Sequence, residues 1–530
     1  MAADDQAKGG PGKNEVMQVS GMPRVIVTVG CMIGTLMQAL DSTIANVSLP
    51  YMQGSLSASY DEITWVLTSY VVAAAIMTAP VGWLAGRFGR KNVFMVSIIG
   101  FTITSMMCGI ASSLGEMVVD RLLQGMFGAA LVPLSQSTML DIYPPEKRGQ
   151  AMAIWGIGVM VGPILGPTLG GYLTYFYDWR YVFFVNLPFG IAAVLALGFF
   201  MPKRGAANRS TGHFDWIGFA VLSLFLAALQ ILLDRGEEKD WFSSTEIVTY
   251  GVLAAIGLYL FIVHMFTAKQ PFIPRGVFKD RNLNAALVAM FAVGSVLLSS
   301  STLMPPFLEK LGNYPVELAG LVMAPRGLGT MGAMVIAGRL TNKVDPRYLM
   351  FVGFLLLIVS FWMMMQWLPS SPQSYLIESI VVQGAGLGFV FTPLQVVAFY
   401  TLDPALRTQG TSLLSLMRNV GMAVGISVTE AVQVQMSQVD HQSVSNAITP
   451  FNRALQVGGA VTHYLNPMTS KGAAMLNTMI VQQSDIISYL DAFKFMLMVS
   501  VPAIFTLLLM RKPPAQAGVK AEKHEMAVME

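Results

Sequence analysis

Apolar residues along this chain gather into runs about 20 residues long, separated mostly by short polar segments. At about 1.5 Å rise per residue, a helix of that length matches the hydrocarbon thickness of a bilayer. Fourteen such runs are present, at about 24–48, 62–85, 92–113, 116–140, 150–174, 181–201, 214–234, 246–267, 283–306, 317–339, 347–368, 375–401, 409–432 and 489–510. The pattern predicts an all-α integral membrane protein with fourteen spans. One polar segment is long, about 433–488, and is expected to be a solvated loop outside the membrane. Within it Ala474, Leu476, Met479, Ile480, Ile486 and Ile487 recur at helical spacing, which suits short amphipathic helices.

The basic residues orient the spans. With the N-terminus inside, 23 of the 33 Lys and Arg residues fall in cytoplasmic segments and only 6 outside. That asymmetry predicts fourteen spans with both termini cytoplasmic, and removing one span would reverse every later loop. The first twenty or so residues are polar and lack a signal-peptide core, so the first run is expected to be the insertion signal. Composition agrees: 54% of the 530 residues are apolar and 12% charged, about half the charged fraction of a soluble domain. A net charge of +3 gives no reason to expect nucleic acid as a partner. Cys31 and Cys108 both sit in apolar runs and suggest neither a disulfide framework nor a metal site.

The chain repeats itself. Gln124-Gly125, Pro133 and the segment from Pro144 to Gln150 are echoed about 260 residues later by Gln383-Gly384, Pro393 and Pro404 to Gly410. Gly86-Arg87 is echoed more weakly by Gly338-Arg339. Two six-helix halves follow, 24–201 and 283–512, the second including the long loop. A 202–282 insert carries two extra spans joined by the acidic turn from Asp234 to Asp240. Tails 1–23 and 513–530 complete the organisation.

Ionisable groups inside such spans are costly and mark function or a partner. Asp41 lies in the first span about 25 Å along the helix from Arg24, in the outer half of the bilayer. Burial disfavours its charged form, which suits a proton carrier, while a purely structural hydrogen-bonding role is the alternative. Arg121 on the fourth span lies at a compatible depth, and a direct or water-mediated interaction with Asp41 is expected, with the adjacent Asp120 as the rival partner. Arg326, Glu378 and Arg418 are further charged candidates, on spans ten, twelve and thirteen. The fifth span reads GIGVMVGPILGPTLGGY from Gly156 to Tyr172. Its Gly162, Gly166 and Gly170 share one face, and Pro163 and Pro167 each remove a backbone donor. That combination describes either a tight packing seam or a helix that bends at a gate. No phosphate-binding loop is present, which argues against a self-contained ATP-driven pump.

Four of these segments resemble motifs of the major facilitator superfamily. Gly158, Gly162, Pro163, Gly166, Gly170 and Gly171 resemble its antiporter motif, associated with export. Leu40 to Asn46 resembles the first-helix motif of the fourteen-span drug:proton antiporters, and Arg121, Gln124 and Gly125 resemble a fourth-helix motif linked to proton coupling. Gly82, Arg87, Gly89, Arg90 and Lys91 resemble the signature loop between spans two and three. Its usual fifth-position Asp is Gly86 here, so one charge pair of the gate is expected to be missing. Leu134 to Ser137, Tyr143 to Arg148 and Leu233 to Gly236 are similar to the EmrB-type branch. The resemblance implies a major facilitator fold in a bacterial inner membrane, exporting lipophilic toxic compounds against protons. It further implies no cofactor beyond the proton gradient, no enzymatic step, and a tripartite assembly with a membrane-fusion adaptor and an outer-membrane channel. An importer or dedicated single-substrate carrier of the same fold, and a non-transporting receptor or scaffold, are the rival readings.

Overall fold

A computed structural model describes residues 21–202, 214–341, 343–448, 465 and 468–511. Among these residues every regular element is a helix. The first half holds α1 (Met22–Ser55), α2 (Trp65–Thr78), α3 (Val81–Phe88), α4 (Arg90–Ile110), α5 (Leu114–Gly128), α6 (Leu131–Ile142), α7 (Arg148–Phe176) and α8 (Asn186–Phe200). The extra pair is α9 (Trp216–Arg235) and α10 (Thr245–Thr267). The second half holds α11 (Arg281–Pro306), α12 (Val316–Met323), α13 (Pro325–Leu340), α14 (Pro346–Met364), α15 (Gln373–Val397), α16 (Arg407–Ala447) and α17 (Ser470–Leu509).

Twelve candidate spans among the described residues are long and apolar enough to cross a membrane, several of them runs of consecutive helices. The bent pair α2 and α3 makes a further span if taken as one, its parts meeting at 56°. The break falls at Ala79-Pro80, where proline withholds a backbone donor. Large apolar side chains such as Phe199, Tyr259, Leu328 and Leu508 cover the outside, as a protein solvated by lipid requires.

The repeat found in the sequence is a repeat of packing. Gly125 on α5 lies against the Tyr70 carbonyl of α2, and Gly384 on α15 lies against the Arg326 carbonyl of α13. Gly162 and Gly166 on α7 meet α1 at Ala39 and Thr43, while Gly421 and Gly425 on α16 meet α11 at Phe291 and Ser295. In each case a side chain larger than hydrogen would hold the two helices apart.

The extra pair bridges the halves. α9 packs against α2 of the first half and α16 of the second. The Ser427 hydroxyl donates to the Leu233 carbonyl at 2.9 Å. At the other end Asp215 caps α9 through the Gly218 N–H at 2.9 Å and receives His264 of α10 at 2.8 Å.

The polar segment 433–488 departs from expectation. At both ends it is helix continuing out of the bundle rather than loop: α16 runs on to Ala447 and α17 begins at Ser470. The 15 residues beyond position 432 extend α16 by about 22 Å. The two extensions pair through Ser437 and Asp485 at 2.8 Å and through His441 and Asn477 at 3.2 Å. Leu476, Ile480 and Ile486 are buried, three of the positions that carried helical spacing in the sequence. Residues 449–464 lie outside the described set, as do the basic positions Lys203, Arg204, Arg209 and Arg453.

Candidate functional site

Asp41 is completely buried on α1. Its Oδ2 accepts from Arg121 Nη1 at 2.7 Å. Its Oδ1 accepts from Gln124 Nε2 at 2.8 Å and from Asn186 Nδ2 at 3.3 Å. Arg121, 1% exposed, is fixed in turn by four further contacts. It donates to Gln124 Oε1 at 2.8 Å and from Nε to the Val66 carbonyl at 3.1 Å, and it lies over the Tyr70 and Phe183 rings at 4.2 and 5.6 Å. Every contact to the carboxylate comes from a donor, so the site suits an acceptor-only group. Protonating Asp41 would turn one of those oxygens into a donor and remove the charge that Arg121 faces.

The sequence-level depth match between Asp41 and Arg121 corresponds to this direct contact, and the rival partner Asp120 forms no ion pair with Arg121. Asp120 is buried on α5 with Oδ2 unpartnered. Asn186 and Tyr70 were not among the candidates. Asn186 opens the apolar run of α8, and an amide inside such a run was the signal available.

α7 presses directly on the Asp41 turn. A Cβ at Gly162 would stand 2.5 Å from the Ala39 Cβ, and one at Gly166 would stand 2.1 Å from Thr43 Oγ1. Gly170 repeats the approach at Ile44. Thr43 Oγ1 donates across the seam to the Gly162 carbonyl at 3.3 Å. The small-residue face is therefore a seam inside the first half. Gly158 and Gly171 sit at its looser edges, where an added Cβ would stand 3.6 and 3.8 Å from α1 atoms, and the side chains of Pro163 and Pro167 lie outside the described set. Gly166→Val is expected to destabilise the protein by about 1–3 kcal/mol through overpacking. Gly171→Ala, with only Val47 nearby, is the control expected to leave it unchanged. Thermal unfolding in detergent checks both.

Residues 31–426 match the family model of the Major Facilitator Superfamily. The chain belongs to the Major Facilitator Superfamily. It is 34% identical over 506 residues to the multidrug export protein EmrB of Escherichia coli (strain K12), covering 94% of this chain and 98% of that protein. It is 33% identical to the fatty acid resistance protein FarB of Neisseria gonorrhoeae, over 93% of this chain and 97% of that one. Among solved structures, the human organic anion transporter MFSD10 (TETRAN) shares the fold, with a TM-score of 0.59 at 14% identity. That likeness covers 92% of this chain and all of the other.

The loop that resembles the superfamily's signature is held at one end of the bundle. Gly89 has φ +88°, which permits the sharp turn from α3 into α4. Lys91 Nζ donates to the Gly198 and Met201 carbonyls at 2.7 and 2.6 Å, a cation at the C-terminal end of α8. Arg90 pairs with Asp141 at 2.5 Å and donates to Thr408 Oγ1 at 3.1 Å in the second half. Arg407, also in the second half, reaches the other Asp141 oxygen at 3.0 Å. Arg87 is exposed, and Gly82 lies against the Gln409 backbone. The charge pair expected to be missing at Gly86 thus has a counterpart in Asp141, which sequence reading passed over at the end of an apolar helix.

Apolar and neutral contacts close the same end. Gly149 and Gly338 meet backbone to backbone, the Trp155 and Phe391 rings stack at 5.9 Å, and Gln136 donates to Gln395 across the halves. The remaining charged candidates separate. Glu378 is exposed on α15, not buried, because its helix turns that face outward. Arg326 donates to Ser301 Oγ at 2.7 Å, Ser300 Oγ at 3.1 Å and the Leu297 carbonyl at 3.2 Å. Arg418 lines a small cavity between the halves, with Gln38, Thr78, Ser415 and Asn419.

Proposed function

We propose that this protein is a proton-coupled efflux permease that exports lipophilic small molecules by alternating access. The observation that carries the reading is the Asp41 carboxylate, held by Arg121, Gln124 and Asn186 on the turn of α1 that α7 grips through Gly162 and Gly166. A change in the charge of Asp41 and a movement of α7 are thereby mechanically linked. The α7 seam joins α1 at its outer part, while the opposite part of the same helix meets α13 and α15 of the second half through Gly149, Gly156 and Trp155. α7 therefore spans from the proton site to the contact between halves. The naming of EmrB as a multidrug export protein supports the substrate class and the direction of transport.

In this scheme Asp41 takes a proton from outside, the halves rock, and the proton leaves inside as substrate is carried outward. One charge moving through 100 mV supplies about 2.3 kcal/mol, and one unit of pH adds about 1.4 kcal/mol. A single proton then sustains a substrate gradient of roughly a few hundredfold. In this reading the protein belongs to a bacterial inner membrane, with both termini cytoplasmic and fourteen spans, as two six-helix halves, 24–201 and 283–512, around the 202–282 insert. A periplasmic membrane-fusion adaptor and an outer-membrane channel complete the export path, a proposal that rests on the likeness to EmrB-type permeases.

The test is purified protein in liposomes, with a pH-sensitive dye inside and an imposed pH gradient, challenged with a panel of lipophilic compounds. Proton movement triggered by several unrelated compounds is expected; none with any compound overturns the reading. In the same assay Arg121→Lys is expected to lose at least about tenfold in rate. The lysine keeps the charge but cannot hold Asp41, Gln124 and the Val66 carbonyl together in one planar fork. Full activity in that variant would show that charge alone suffices.

A further inference from the structure

The first half compensates its membrane-buried guanidinium with a carboxylate, and the second half does not. Arg326 is satisfied only by hydroxyls and a carbonyl. Arg418 has less: it is 8% exposed, its Nε has no partner, and no hydrogen bond or ion pair joins it to any described residue. The next carboxylate along α16, Glu430, is 12 residues or about 18 Å away. Burying a cation without a partner costs several kcal/mol, so an unpaired guanidinium at a cavity wall points to a counter-ion that arrives from elsewhere.

The position suits a ligand. Arg418 lies 11 residues, about 17 Å, from the start of α16, near the middle of a hydrocarbon core about 30 Å thick. Its cavity lies between the halves and offers the polar side chains of Gln38, Thr78, Ser415 and Asn419 beside Ala74, Ala129, Val132 and Pro133. Around Arg418 the backbone of α16 is fixed against α11, because Gly294 admits the Arg418 carbonyl and Gly421 admits that of Phe291. Gln38, on the opposite wall, is one turn from Asp41.

We propose that Arg418 is the charge-selecting residue of the central cavity, and that it holds the anionic headgroup of an amphiphilic substrate, a carboxylate or similarly compact oxyanion. A carboxylate accepts two parallel N–H bonds from a guanidinium, the geometry in which this pairing is strongest. With the Asp141 end closed the cavity has room for about one water, so headgroup and hydrocarbon tail are admitted together once the halves part. A cationic amphiphile meets repulsion at the same wall. The proposal deepens the efflux reading by naming the substrate class of its cavity, and rests on that reading for the direction of movement only.

Equilibrium binding to full-length protein in nanodiscs tests it without any transport. Titration calorimetry against decanoate, decyltrimethylammonium and decanol, with empty nanodiscs as the blank, compares the protein with Arg418→Gln and Arg418→Lys. Decanoate is expected to bind at least about tenfold more tightly than the cation. Arg418→Gln is expected to weaken decanoate by about 10- to 100-fold and leave decanol unchanged, whereas Arg418→Lys retains most of the affinity. Equal decanoate binding by the protein and Arg418→Gln, or equal binding of anion and cation by the unsubstituted protein, would overturn the assignment. Liposome flux separates the two readings. Decanoate that binds through Arg418 but moves no protons counts against proton-coupled efflux and leaves the anion site standing. Proton flux with decanoate that is undiminished in Arg418→Gln counts against the anion site and leaves efflux standing.

Discussion

Asp41→Asn is expected to abolish substrate-driven proton movement while the protein still folds and reaches the membrane. The amide has nearly the shape of the carboxylate, and its oxygen still accepts from Gln124 or Asn186. What disappears is the negative charge opposite Arg121, 2.7 Å away in a site with no exposed surface. Removing one partner of a buried pair costs about 3–5 kcal/mol. Here the stranded guanidinium keeps its bonds to Gln124 Oε1 and the Val66 carbonyl and its place over Tyr70, which offset part of that loss. The fold is therefore expected to be weakened and present, and the variant to hold one fixed charge state. A carrier that never changes charge has nothing to exchange against the gradient, so flux in the dye-loaded liposomes should fall to the protein-free rate. Asp41→Glu, which titrates but reaches further, should retain partial flux. Normal coupled flux in Asp41→Asn, in protein shown to be monodisperse, would remove Asp41 from the mechanism.

Breaking the Asp141 latch should have the next largest effect. One buried carboxylate here faces Arg90 of its own half at 2.5 Å and Arg407 of the other at 3.0 Å. Asp141→Asn leaves two cations opposed across the closed end with no anion between them. At about 3–5 kcal/mol, the closed arrangement would lose a factor of roughly 10² to 5 × 10³ in population relative to the open one. The expected outcome is a protein that rests open at that end and transports at least about tenfold more slowly, since a cycle limited by closure slows with its population. Spin labels at Lys147→Cys and Lys343→Cys, both exposed and on opposite halves, report the change by a shift to longer distances. The native Cys31 and Cys108 are buried and are replaced for this purpose. Arg407→Gln removes the inter-half arm alone and should shift the distances in the same direction by less. Unchanged distances in Asp141→Asn would mean that the other contacts across the halves, among them Gly149–Gly338, Trp155–Phe391, Gln136–Gln395 and Arg90–Thr408, hold the end shut without it.

These two residues differ in how far they could be read from the chain. Asp41 announced itself, because a carboxylate within a long apolar run has few explanations. Asp141 did not, because it lies where an apolar helix ends and an acid there looks like an ordinary solvated terminus. Only the folded arrangement brings Arg407 to it across 266 residues. The Gly162–Gly166–Gly170 face was legible as a close-packing surface, yet its partner was not. Spacing says which residues share a face and nothing about which helix meets it. The long polar segment misled for a related reason: Gln, Ser and Met are tolerable in a solvated helix, so low hydropathy marked where the membrane ends and not where the helices end.

The sequence by itself determined what depends on sums along the chain. Helix class, the membrane as solvent, the duplication of two halves and the rarity of ionisable groups within the spans all follow from hydropathy and spacing, since lipid leaves a backbone few ways to satisfy its own hydrogen bonds. The tertiary structure alone decided which buried charges are paired. It placed Asp41 with Arg121, Gln124 and Asn186, gave Asp141 two guanidinium partners, turned Glu378 outward and left Arg418 facing a cavity. Those outcomes rest on the rotation of each helix about its axis and on contacts between residues 51 to 266 positions apart. A rotation of a single residue, about 100° in an α-helix, exchanges a lipid-facing side chain for a buried one, and no local pattern of apolar and polar residues in this chain specifies it to that precision.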